Sequence, residues 1–118
     1  MRQQKSLRLK EMKKEMRIKV LQSHINLAKD KRGSSKTCPV AFAIKDALHW
    51  QGISYNEVNV YPGMITIEKD KGVFAENDAY KNIPPEVKTF VERFDRGLSV
   101  DPFDFEFDLD DKVEIEMM

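Results

Sequence analysis

Between Lys29 and Cys38 the chain reads KDKRGSSKTC, its densest run of groups able to do chemistry. Lys29, Lys31, Arg32 and Lys36 bring positive charge, and Ser34, Ser35 and Thr37 bring hydroxyl donors around Gly33. Cys38-Pro39 then opens an amphipathic stretch that reads as a helix. A helix start offers free N–H groups and a partial positive charge. Such parts fit a phosphate or carboxylate held by charge-assisted hydrogen bonds. The candidate anion site is therefore Lys29, Lys31, Arg32, Ser34, Ser35, Lys36, Thr37 and Cys38. The spacing is not a Walker A loop, because no Gly-Lys-Ser/Thr follows Gly33. It is not a dinucleotide fingerprint either, because one glycine is too few. A solvated basic loop with a Ser or Thr capping the helix accounts for the same residues.

Other reactive groups are sparse. Cys38 sits where a helix N-terminus can lower a thiol pKa. The pattern offers it no base or orienting partner: His24 and His49 are distant in sequence, and no Asp or Asn stands out. No catalytic residue is assigned, and the chain reads as a non-enzyme. Two histidines and one cysteine are too few and too scattered for a zinc site. The carboxylates of 101–111 alternate on a strand face but lack the glycine-containing loop of a calcium motif. They read as a solvated acidic face, so neither metal nor cofactor is expected.

These groups are carried by a chain of 118 residues, a length that suggests one domain able to bury a modest core. A hydrophobic share of 41% with 34% charged residues is globular rather than disordered. No apolar run approaches the ~20 residues of a membrane span, and MRQQKSLRLK is not followed by a signal-type apolar region. With a single cysteine, a reducing cytoplasm is the expected setting. Net charge is zero, yet residues 1–36 hold twelve Lys or Arg against three acids, while 101–116 hold eight acids against Lys112. The two ends either neutralise each other within one molecule, or support head-to-tail association or a basic arm for a partner.

The elements follow from periodicity. Residues 1–15 have too few apolar positions for a buried face and read as a basic extension, with a single domain over 16–118. MRIKV opens that domain as a strand, Ile18 and Val20 opposite Arg17 and Lys19. Ser23 reads as the N-cap of a short helical turn. Val40, Ala43, Ile44, Ala47 and Leu48 keep core-face spacing, with Pro39 in the first turn and Gly52 as the stop. His49 sits favourably in the last turn, and Trp50 reads as a lid on the core.

EVNVYPGMITIE (57–68) predicts a hairpin, Val58 and Val60 on one side and Ile65 and Ile67 on the other, around a Pro62-Gly63 type II turn. Residues 69–82 read as a polar loop anchored by Phe74 and Tyr80. Val87, Phe90, Val91 and Phe94 stripe a second long helix over 84–97. FDFEFDLDD alternates strictly, which places Phe103, Phe105, Phe107 and Leu109 in the core. The phenylalanines are not a nucleic-acid stacking platform, because the alternating acids would repel a phosphate backbone. The expected class is α+β: a two-layer sandwich with helices on one face of an antiparallel sheet. The order strand, helix, strand, strand, helix, strand matches the ferredoxin-like βαββαβ arrangement.

Four stretches carry a resemblance: MRIKVLQSHI, CPVAFAIKDAL, VNVYPGMITI and IPPEVKTFVERFDRGLSVDPFDFEF. Over residues 16–109 the chain resembles a group of small phage and prophage proteins of unassigned function. That group shares a strand-then-HI start, a CPVA helix and a PPEV--F---FD-G type of ending. The resemblance implies a small protein that acts by binding in the host cytoplasm, on a host protein such as a defence component. Two alternatives remain from the residues themselves. One is capture of a nucleotide-like, phosphate-containing small molecule by the 29–38 loop. The other is nucleic-acid binding through the basic N-terminal region. Self-association is a further expectation, and a membrane partner is not.

Overall fold

The computed structural model describes residues 15–69, 76–81 and 83–109. In chain order the elements are β1 (Glu15–Val20), α1 (Gln22–Ala28, continued by a 3-10 turn over Lys29–Lys31), α2 (Pro39–Trp50), β2 (Tyr55–Tyr61), β3 (Met64–Lys69), β4 (Glu76–Tyr80), α3 (Pro85–Asp95) and β5 (Phe103–Asp108). Helices and antiparallel ladders form an α+β sandwich. The ladders come as two sheets rather than one continuous sheet. One pairs β1 with β5, and the other runs β2-β3-β4. The parallel neighbours that a βαβ crossover creates do not occur among the described residues, so the ferredoxin-like order is not formed.

In the first sheet Met16 faces Phe107, Ile18 faces Phe105 and Val20 faces Phe103. The strict alternation of both strands therefore puts one apolar face inward. It also sets opposite charges across from each other outside, Arg17 against Glu106 and Lys19 against Asp104. Arg17 Nη1 lies 2.9 Å from Glu106 and its Nε 3.5 Å from Asp104. The basic start and the acidic end of the domain thus meet on one ladder.

In the second sheet Val58 faces Ile67 and Val60 faces Ile65. All four are buried on one face of the hairpin rather than divided between two. The type II turn expected at Pro62-Gly63 does not form, because Gly63 is not among the glycines with positive φ. The loop expected over 69–82 contains β4, whose Tyr80 faces Ile65. Phe74 lies outside the described residues. The Tyr80 ring sits 4.8 Å from Phe107 and its hydroxyl donates to the Leu109 carbonyl, which joins the two sheets at one end.

Helix α2 packs on β1, β2 and α1 and so bridges both sheets. It stops in a Schellman motif: Gly52 (φ 73°) donates to His49 O at 3.0 Å and Ile53 to Leu48 O at 2.9 Å. Helix α3 ends the same way at Gly97, with Leu98 N donating to Arg93 O. The N-cap of α1 is Leu21, not Ser23. Leu21 has no side-chain oxygen to offer. His24 stabilises that end instead, its Nδ1 accepting the Leu21 N–H at 2.9 Å. No described helix is long and apolar enough to cross a membrane.

Candidate functional site

The 29–38 loop joins α1 to the start of α2; its polar side chains are exposed or half-buried, and several of them bond to neighbouring protein groups. Arg32 Nε donates to Phe94 O and its Nη1 to Lys29 O, both at 2.9 Å, while the guanidinium lies 4.8 Å from the Phe94 ring centre. It therefore caps one carbonyl in the last turn of α3, where a cation is favoured by the dipole. Gly33, at φ 87°, donates its N–H to Asp95 Oδ1. Ser35 Oγ donates to Asn59 Oδ1 at 2.8 Å, and its carbonyl accepts the N–H of Val60 on β2. Lys36 Nζ stands 2.9 Å from Glu57. That contact raises the Lys36 pKa and lowers that of Glu57. Thr37 Oγ1 donates to Lys31 O, and the Thr37 N–H to Ser34 O.

Lys29 and Lys31 are exposed, and their carbonyls serve the loop itself. Cys38 is 3% exposed at the N-cap of α2. Burial pushes its thiol up to about 11, against the smaller opposite pull of the Ala41 and Val40 N–H groups. The helix start therefore does not activate the thiol, because desolvation outweighs it. The structure brings the eight residues into one loop, but as a latch between α3 and the edge of β2. Of the cations in the anion reading, Arg32 bonds protein carbonyls and Lys36 pairs with Glu57 at the surface, while Lys29 and Lys31 are exposed. The carboxylate of Asp95 also borders the small hollow formed by Gly33, Ser34, Ser35 and Cys38.

The other end of α2 is open. Ala43, Ala47 and Trp50 follow i, i+4, i+7 spacing, so they share one stripe. Ala43 is buried and Ala47 half-buried, but Trp50 is 84% exposed and is not a lid on the core. The small alanines leave a groove of about 280 Å³, with β1 residues Met16, Arg17 and Lys19 on its other side. Leu21, 48% exposed, and Trp50 both line it. His24 and Asp46 form part of the wall, with Nε2 to Oδ2 at 2.7 Å. Because Nδ1 accepts the Leu21 N–H, Nε2 carries the ring proton and donates to Asp46. The couple fixes the turn from β1 into α1 and ties it to α2. Among the described residues no group of three His, Cys, Asp or Glu side chains could hold a metal ion.

The 43–47–50 spacing marks a stripe in the sequence, but periodicity alone does not show that its last member, Trp50, lies beyond the cover of the sheet. Comparison of the chain with family models, with curated proteins and with solved structures finds no match.

Proposed function

We propose that this protein is a non-catalytic binding protein that docks another protein through the Trp50 groove. The observation that carries the reading is Trp50 itself, 84% exposed beside a groove whose apolar part it shares with Leu21, Met16, Ala43 and Ala47. Leaving an indole in water forgoes a large hydrophobic gain, and tryptophan is the residue most enriched where binding energy concentrates. The wall behind it is stiff. His24 and Asp46 hold the α1 turn, and the Schellman motif fixes the end of α2. A preformed surface loses little entropy on docking. The resemblance to small phage proteins supports a host protein as the partner and an anti-defence role. The anion-loop reading has less support, because Arg32 and Lys36 already hold protein groups.

Immobilised wild-type protein and Trp50→Ala, each passed over host lysate and read by quantitative mass spectrometry, test the proposal. A protein retained by wild type and lost from the variant is expected. Retention of the same set by both would remove the groove from the function.

A further inference from the structure

A second groove, sharing no residue with the first, lies between α3 and the chain entering β5. It measures about 690 Å³. Its helical wall is Glu86, Thr89, Phe90 and Arg93, one face of α3 by i, i+3, i+4, i+7 spacing. Val100 and Phe103, both half-buried, belong to its apolar floor, where the Phe103 ring meets Phe90 at 4.9 Å. The groove is held open by Arg93, whose Nε and Nη2 donate to Ser99 O at 3.2 and 2.9 Å. That clamp fixes the 98–102 connection against the helix and commits the one cationic lining group to a protein carbonyl. Its rim carries three exposed carboxylates, Glu86, Asp101 and Asp104. Asp104 shares Arg17 with Glu106, whereas no described basic side chain pairs with Glu86 or Asp101.

An apolar floor with an acidic rim selects by charge. With three carboxylates against Arg93, whose charge the Ser99 carbonyl does not cancel, the lining is net acidic: it disfavours phosphates and acidic peptides and attracts lysine and arginine, whose aliphatic stems can lie along the floor while their heads reach the rim. We infer that this groove docks a basic segment of a partner protein, anchored by apolar side chains between its lysines or arginines. The contact is independent of Trp50, so the molecule has two docking faces, one centred on an exposed tryptophan and one cation-selective.

The test uses the full chain and a short fluorescein-labelled peptide of alternating lysine and leucine, with its glutamate–leucine counterpart, read by fluorescence anisotropy. The lysine peptide is expected to bind and the glutamate peptide not. Glu86→Gln with Asp101→Asn should weaken binding about tenfold and flatten its salt dependence. Thr89→Lys, which places a cation in the groove, should weaken it independently, and Trp50→Ala should leave it unchanged. Those surface variants should keep the wild-type circular dichroism and melting curve. Equal binding of both peptides, or indifference to Glu86→Gln/Asp101→Asn and to Thr89→Lys, would overturn the inference. So would a sedimenting dimer that the Glu86→Gln/Asp101→Asn variant disperses, since the groove would then belong to a second copy of the chain.

Discussion

Helix α2 has two unlike ends. Its N-terminal end receives a loop crowded with lysine, arginine and hydroxyls, and that loop is tied to its neighbours. Arg32 caps α3, Ser35 joins the edge of β2, and Lys36 pairs with Glu57. Its C-terminal end is open, with Trp50 and Leu21 exposed beside a groove floored by alanines and walled by Arg17, Lys19 and Asp46. A charged run is conspicuous in a sequence, but charges and hydroxyls are also the groups that a fold uses to satisfy its own helix ends and sheet edges. An apolar residue left in water satisfies nothing inside the molecule, so its exposure is the more informative departure.

The contrast is broken most strongly at Trp50. Trp50→Ala should lower affinity for the docked partner by about 2–4 kcal/mol, or roughly thirty- to a thousandfold. The urea midpoint should stay where it is, because so exposed a side chain contributes little to folding. Calorimetric titration with the captured partner and a denaturation curve decide this together. A large fall in stability would mean that the tryptophan is part of the core after all.

At the other end the expected readouts exchange. Arg32→Ala removes two charge-assisted hydrogen bonds to carbonyls and the stacking on Phe94. It should cost about 2 kcal/mol of stability, read as a lower urea midpoint, with partner affinity unchanged. Arg32→Lys should recover little, because an ammonium cannot reach Phe94 O and Lys29 O in one plane.

These two ends also show what could be read in the sequence. β1 and β5 were legible because their alternation is strict, and the ladder pairs the same faces. α2 and α3 were legible from their stripes and from Gly52 and Gly97. β4 was not: Glu76, Asn77 and Asp78 have turn chemistry, and only the ladder to β3 makes them a strand. The split into two sheets was equally hidden, since element order does not say which edges meet. The loop was legible as basic but not as tied to its neighbours. Arg32 and Phe94 are 62 residues apart, and nothing local announces their contact. Trp50 was misplaced because a stripe gives direction along a helix and not the extent of its cover.

Cys38 sharpens the comparison through pH. Burial raises its thiol to about 11 in the folded protein, whereas the unfolded chain releases that proton earlier. Between the two values the unfolded state holds fewer protons, so stability falls as pH rises. The loss should approach the order of 2 kcal/mol between about pH 9 and pH 11. Cys38→Ala should abolish that component of the alkaline decline. In the native protein near pH 8 the thiol should react with a disulfide reagent far more slowly than in urea. Fast native reaction would show that the loop opens, and would revive an exposed site at this end of the helix.

The smallest effect separates a latch from an anion site. The Lys36–Glu57 pair is exposed on both sides, so solvent screens most of its attraction. Lys36 holds the Glu57 pKa down, through its hydrogen bond first. A depressed carboxylate stabilises the fold above its unfolded pKa, and the contribution fades as pH falls through the lower folded value. Lys36→Ala should therefore leave the urea midpoint at pH 7 nearly unmoved and slightly reduce its dependence on pH below 5. Added inorganic phosphate should raise the melting temperature no more than sodium chloride of equal ionic strength, in wild type and variant alike. A phosphate-specific rise that disappears in Lys36→Ala would mean that the lysine leaves Glu57 for a ligand. The two ends of α2 would then both be binding ends.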